Sequence, residues 1–216
     1  MIIAIDGPAG AGKSTVARIL AKKLGFLYID TGAMYRALTL KTIEQKIPLS
    51  DIPAIIELAR DSVIDLVNDE LAALKVYLDG KDVSSAIREP RITRFVSDIA
   101  KIREVREVML GLQRKLGRSK DSVLDGRDIG TVVFPDADKK FYLDAKSAER
   151  AKRRYKELVG LGQGITLGDV ESDLSNRDKI DSTRECAPLK KAEDAVYIDT
   201  TDMSIEEVVK ALQGYL

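Results

Sequence analysis

The sequence predicts an α/β fold built on a parallel sheet, and three observations predict it. Residues 2–6 (IIAID) are a short apolar, β-branched run that stops at Gly7, after which apolar residues recur at helical spacing from Val16 to Leu24. Gly25 ends that helix, and FLYID (26–30) followed by AMYRALTLKTIEQK (33–46) repeats the strand-helix order. Further on, SVLDG (122–126) and KFYLDA (140–145) are apolar runs each closed by an Asp. Strands alternating with crossover helices are the wiring of a parallel sheet.

The remaining elements follow in order. A helix is expected at 51–60, then strands at VIDLV (63–67) and LKVYL (74–78), with Asp79-Gly80 as a hairpin signal before KDV (81–83). These three make a small antiparallel insertion. Helical patterns return at 91–101 and 103–116, the second with Val105, Val108, Met109 and Leu112 on one face, and residues 117–120 (GRSK) read as a turn. A helix rich in Arg and Lys is expected at 147–158, a Gly-rich stretch at 160–168 and a polar helix at 169–180. AVYID (195–199) reads as the last strand. The closing helix opens at Ser204 with Glu207 three residues on, the spacing of a capping box.

Composition removes several chemistries. The chain of 216 residues has no histidine and one cysteine, Cys186, so it holds no Ser-His-Asp or Cys-His machinery, no His-ligated zinc, no CxxC pair and no disulfide framework. Cys186 reads as a packed thiol. Charged residues at 32% exceed the usual share of about 25%, and 35 Lys and Arg balance 35 Asp and Glu. That balance argues against a non-specific nucleic-acid binder, which needs a strongly basic domain. No apolar run is long enough to span a bilayer, and MIIAIDG is too short for a signal h-region, so the expectation is a cytoplasmic protein with neither membrane nor nucleic-acid partner.

One motif carries chemistry. Gly7-Pro8-Ala9-Gly10-Ala11-Gly12-Lys13-Ser14 fits G-x-x-x-x-G-K-[ST], directly after a strand and opening a helix. Its glycines let successive N–H groups turn inward, so loop and helix N-terminus form an anion cradle. Lys13 supplies a mobile charge to β- and γ-phosphates, and Ser14 offers a hydroxyl to Mg²⁺, backed by Thr15. A phosphate-binding loop does not by itself choose the reaction. A GTPase needs an NKxD-type element, which neither Asn68 nor Asn176 provides, and an ABC-type LSGGQ signature is missing. A small-molecule kinase remains.

Such a kinase needs positive charge beyond that of the metal. Arg36, Arg103, Arg106, Arg127, Arg150, Arg153, Arg154, Arg177 and Arg184 stand at strand ends, on helices and around the Gly-rich segment, and ligands of open α/β sheets bind outside the carboxyl ends of strands. The missing histidine points to the acceptor. An alcohol benefits from a base, whereas a phosphate monoester, with a second pKa of about 6, arrives already ionised. A carboxylate base keeps an alcohol-phosphorylating P-loop kinase open as a second reading, and a regulatory protein that only binds nucleotide is a third.

At the level of motifs, Gly7–Ser14, Asp30-Thr-Gly-Ala-Met-Tyr35-Arg36, residues 77–84 (YLDGKDVS) with Ile87-Arg88, Val105-Arg106-Glu107, residues 124–136 (LDGRDIGTVVFPD), Glu149–Arg154, and Arg177-Asp178 before Ala187-Pro188-Leu189 resemble the bacterial cytidylate kinase family in order and spacing. The likeness runs from about residue 2 to 212. It implies a P-loop nucleoside-monophosphate-kinase fold, with a five-stranded parallel core, a lobe for the monophosphate enlarged by the antiparallel insertion, and a helical lid. It implies ATP and Mg²⁺ as co-reactants and CMP and dCMP as acceptors, in a single-domain monomer. The expected parts are a core at 1–34, 118–148 and 190–216, a lobe at 35–117 with its insertion at about 60–95, and a lid at about 149–185.

By that resemblance, Thr31, Tyr35, Arg36 and Arg127 hold the acceptor and its phosphate, Ser97, Arg106 and Asp128 read cytosine, and Asp181 and Arg184 reach in from the lid. Lys13, Arg127, Arg153, Arg177 and Arg184 form the expected catalytic set, and Asp125 joins Ser14 at the metal. In one place the chain departs from the family pattern: Ile180 and Ser182 occupy lid positions that are often basic, and Lys179 or the Arg150–Arg154 cluster is expected to compensate.

Overall fold

A computed structural model describes residues 1–68 and 74–216. Five parallel strands, β1 (Ile2–Asp6), β2 (Leu27–Asp30), β6 (Ser122–Asp125), β7 (Lys139–Asp144) and β8 (Val196–Asp199), form one sheet in the order β2-β6-β1-β7-β8. Alternation along β1 divides the core. Ile3 and Ile5 face α1 (Lys13–Leu24) and α8 (Ile205–Gln213), with Val16, Leu20, Phe141, Val208 and Leu212. Ala4 faces the opposite layer of α2 (Thr31–Glu44), α3 (Ile52–Arg60), α4 (Pro90–Ala100) and α5 (Arg103–Gly117), with Met34, Leu38, Ile92, Val105 and Met109. Both faces are covered, as a parallel sheet requires.

All five strands end on an aspartate, and each carboxylate is used at once. Asp30 caps α2 by accepting from Ala33 N, Asp144 accepts from Ala145 N, and Asp199 accepts from Thr201 N. Asp6 accepts from Ile129 N and Gly130 N, and Asp125 from Ser14 and Tyr28. The carboxyl edge of the sheet is therefore lined with fixed acceptors that stop each strand and tie the next segment down.

The insertion is a three-stranded antiparallel sheet of β3 (Ile64–Asn68), β4 (Leu74–Leu78) and β5 (Lys81–Asp82). Residues 69–73 of the expected insertion lie outside the described residues. Asp79 (φ 50°) and Gly80 (φ 79°) make the two-residue turn that their sequence predicts. Lys41 of α2 pairs with Asp79 at 2.7 Å and pins the turn to the main body.

Two helices, α6 (Ser147–Gly160) and α7 (Leu167–Thr183), pack on each other over the carboxyl edge. The polar helix expected at 169–180 is longer at both ends, because Thr166 and Asp169 form a capping box that starts it earlier. Two elements escaped sequence reading. Ala86–Arg88 is a single 3₁₀ turn, and Ile129–Val133 is a π-helical turn in which Val133 N reaches Asp128 O.

Candidate active site

The loop after β1 lies at the centre of the sheet and opens into a cleft of about 910 Å³. Gly10 (φ 77°) and Gly12 (φ 87°) take the left-handed conformations that aim the chain inward. Helix α1 has no side-chain cap and no acidic residue in its first turn. By contrast α2, α3, α7 and α8 each have one from Asp30, Asp51, Thr166 and Ser204. The N-terminal N–H groups and positive dipole end of α1 are thus available to an external anion.

Lys13 is buried and donates to Pro8 O at 2.7 Å. Burial, helped by nearby Arg127, lowers its pKa well below the ordinary lysine value. Ser14 donates to Asp125 Oδ2 at 2.7 Å, and Tyr28 donates to Asp125 Oδ1 at 2.8 Å. Burial, with the neighbouring Asp30 charge, pushes Asp125 up to about 6. Gly10 to Thr15 and Asp125 all line the cleft. Gly7 and Pro8 do not; Gly7 is required instead by packing, since a Cβ there would lie 1.9 Å from Leu143 O.

The arginines divide into three groups. Arg127, Arg177 and Arg184 surround buried Asp181, at 2.9, 3.9 and 3.7 Å. Burial raises the Asp181 carboxyl, but the three guanidiniums outweigh it and hold it below the usual range. Burial, then Arg127, lowers Arg177 to about 9. Arg36 pairs with Asp30 at 2.8 Å, and Thr31 donates to Asp125 O. A second group sits deeper. Arg106 donates to Asp128 at 2.5 Å and to Ala100 O, stacks over Tyr35 at 5.5 Å, and has Ser97 as a fellow wall of the cleft. Burial pushes Tyr35 up to about 12.

The third group corrects sequence expectation. Arg103 is 71% exposed, pairs with Glu107 at 3.9 Å and does not line the cleft. Arg150 is not on the cleft wall: it grips Ala9 O and Asp178. Arg153 lines the cleft, but its guanidinium is spent on Thr200 and Thr201 carbonyls and the Thr200 hydroxyl. Lys179, Ile180 and Ser182 do not line the cleft, and Ile180 instead lines a separate hollow with Lys101. An apolar and a small residue at 180 and 182 therefore leave the arginines of the cleft itself, Arg154, Arg177 and Arg184, in place. Sequence reading also missed Asp6, Tyr28 and Thr200, which act on backbone or on other side chains and so carry no motif of their own; it noted Asp178 only as the partner of Arg177 in a motif, without a role.

Two buried guanidinium N–H groups in the cleft, Arg106 Nε and Arg177 Nε, have no hydrogen-bond partner among the described residues. Buried donors of this kind demand an acceptor.

A parallel sheet with a phosphate loop on its central strand, a cluster of arginines over the carboxyl edge and two helices closing above it define a P-loop phosphotransferase for a phosphorylated small molecule. The cytidylate kinase family matches the chain over residues 3–216. Cytidylate kinases of Caldanaerobacter subterraneus and Clostridioides difficile are 53% and 51% identical to it, over 96% and 97% of this chain and 91% and 95% of theirs. The chain belongs to the cytidylate kinase family, and is an enzyme that phosphorylates CMP. An uncharacterised protein from Eubacterium ventriosum, 13% identical, shares the fold with a TM-score of 0.53 over 100% of this chain and 97% of that one.

Proposed function

We propose that the enzyme transfers the γ-phosphoryl group of ATP to CMP and dCMP alike, with Arg106 and Asp128 selecting the base. Cytosine offers an N4 amino donor beside N3 and O2 acceptors, to which a carboxylate and a guanidinium are complementary. Uracil reverses the polarity at positions 3 and 4 and leaves buried groups unpaired, which a dry site penalises heavily. The observation that carries this reading is the buried Arg106–Asp128 pair with its orphan Nε, lying beside Tyr35 and Ser97. A carboxylate already paired with an arginine presents acceptor lone pairs and donor N–H groups on one edge.

Arg36, Arg127, Arg177 and Arg184 hold the acceptor phosphate together with Thr31, with Asp181 keeping three of those guanidiniums at one locus. Lys13 and the loop from Ala9 to Thr15 hold the donor phosphates, Gly7 and Pro8 serve that loop by packing on Leu143 and by accepting from Lys13, and Arg153 fixes the 200–201 loop at the donor end. Among the described residues no cluster of three or more carboxylates or thiols is arranged to hold a metal. Ser14 Oγ and the Asp125 carboxylate offer the two hard oxygen donors expected for Mg²⁺, which keeps waters and substrate phosphate oxygens as its remaining ligands. When bound, Mg²⁺ neutralises charge on the transferred group.

The acceptor phosphate is ionised at neutral pH, so the chain's part is alignment and charge. The proposed assembly is a monomer. We assign the core to 1–34, 118–148 and 190–216, the acceptor lobe to 35–117 and the lid to 149–185. Among the described residues no helix is long and apolar enough to cross a membrane, and the proposed location is cytoplasmic. An ADP-release assay with CMP, dCMP, UMP and AMP in parallel tests the reading. CMP and dCMP are expected to turn over and the others poorly; equal turnover of UMP or AMP overturns the base assignment.

A further inference from the structure

The phosphate loop is held by the lid as well as by the core. Asp178, on the inner side of α7, accepts from Ala9 N at 3.3 Å through Oδ1 and from Arg150 at 2.5 Å through Oδ2. The same Arg150 nitrogen donates to Ala9 O at 3.0 Å, and Arg150 Nε is anchored on Ala145 O. Both polar groups of residue 9 are therefore taken by the lid, one by each partner of an ion pair. The Ala9 methyl enters the lid's own apolar cluster, with Ala151, Leu158, Val170 and Leu174. At Gly10 the backbones approach so closely that a Cβ would stand 2.9 Å from Arg150 O.

The partners of this grip sit on two different lid helices. Arg150 is on α6 and Asp178 on α7, so contact with Ala9 requires both helices to be in place together. Asp178 also directly follows Arg177, whose guanidinium enters the cleft beside Arg127 and Asp181. The register that puts Asp178 against Ala9 is the register that delivers Arg177 to the phosphates.

We infer that Asp178 and Arg150 are positioning residues that act as one latch, clamping the Ala9 peptide when the lid is down and thereby fixing both the shape of the donor loop and the place of Arg177. The inference rests on the reading of Lys13 and Arg177 as phosphate-handling groups. Neither latch residue touches substrate. Without the latch, closure is shorter-lived and water gains access to the donor. Some turnovers then break the bond between the γ-phosphorus and the ADP oxygen with attack by water, releasing inorganic phosphate and a proton in place of CDP.

The test compares Asp178→Asn, Arg150→Gln and the double variant with the parent enzyme, measuring kcat, the two KM values and ADP formed per CDP formed. Thermal unfolding confirms that each is folded. Each single variant is expected to lose about tenfold or more in kcat, with KM for CMP within about twofold, and to form more ADP than CDP. The double variant is expected to be no worse than the poorer single within about twofold, because either change opens the whole latch. A parental kcat in Asp178→Asn, or single losses that multiply in the double variant, overturns the inference. Should Asp178→Asn fail to fold, Arg150→Lys, which keeps the charge but loses the forked contacts, gives the same comparison. The parent enzyme forming CDP in the same assay separates a failure of the latch from a failure of the activity assignment.

Discussion

Arg106 and Asp128 meet as a buried ion pair, 7% and 8% exposed, although one stands on the first turns of α5 and the other follows β6. Holding two charges in such a place is costly unless every lone pair and proton is used. Here Arg106 also reaches Ala100 O, and Arg184, just past the end of α7, approaches Asp128 at 3.5 Å, leaving Arg106 Nε without a hydrogen-bond partner among the described residues. Arg106 is fixed by α5, and Asp128 by the short bend that β6 and the 129–133 turn hold from either side.

Asp128→Ala is expected to reduce the preference for CMP over UMP by roughly 10- to 100-fold, the worth of one good polar pair to a base. It also strands the Arg106 charge, so unfolding in urea should show a loss of about 3 kcal/mol. Competition of CMP and UMP in one tube reads the first effect directly. An unchanged ratio removes Asp128 from base selection whatever the stability does.

Lys13→Met keeps the aliphatic stem and loses the ammonium that now donates to Pro8 O. A kcat lower by about 100- to 1000-fold is expected from removing a charge that meets the transferred group. The melting temperature should not fall, because a buried lysine with a lowered pKa is itself a strain on the folded state. A variant with near-parental kcat would exclude Lys13 from the transition state.

Most of this architecture could be read beforehand, and the reason is local. Strand, glycine loop and helix at residues 2–24 follow from side-chain period and from Gly12 and Gly25, whose conformations suit few other residues. Asp79-Gly80 announces its own turn. The π turn at 129–133 could not be read, because it exists through Asp6, more than 120 residues earlier in the chain, taking two of its N–H groups. The contacts of Arg150 and Arg153 could not be read for the same reason. A basic helix says how much charge is present, while the carbonyls of Ala9, Thr200 and Thr201 decide where it is spent.

Asp6 gives the fold a pH signature. Burial pushes its carboxyl from 3.8 up to about 7, against the N–H groups of Gly130 and Ile129, with Asp128 adding to the rise and Lys13 opposing it. Between the unfolded and folded values the folded chain holds a proton that the unfolded chain has released. This contribution to stability is therefore present at low pH and lost as pH rises through about 7, at up to roughly 1.4 kcal/mol per pH unit. Asp6→Asn cannot titrate. The stability of the parent minus that of Asp6→Asn is expected to fall between about pH 5 and about pH 7.5 in urea titrations. A difference that stays flat across that window places the Asp6 carboxyl at its ordinary value.

Gly7 and Gly12 open and close the same loop, yet alanine should cost far more at the first than at the second. At Gly7 (φ 143°) a Cβ would lie 1.9 Å from Leu143 O, an atom of a strand bonded to β1, so relief would have to part β1 from β7. Gly7→Ala is expected to lose more than about 3 kcal/mol, as overpacking against backbone does, and to appear largely in the insoluble fraction. At Gly12 (φ 87°) nothing lies within 4 Å of a Cβ, and the penalty is the left-handed backbone alone, about 1–2 kcal/mol. Gly12→Ala should stay soluble and melt a few degrees lower, at roughly 2–4 °C for each kcal/mol lost. Its main loss should be in KM for ATP, because Gly12 sets the angle at which the first N–H groups of α1 face the phosphates. Equal melting temperatures for the two variants would mean that the approach of Gly7 to Leu143 is not what requires glycine there.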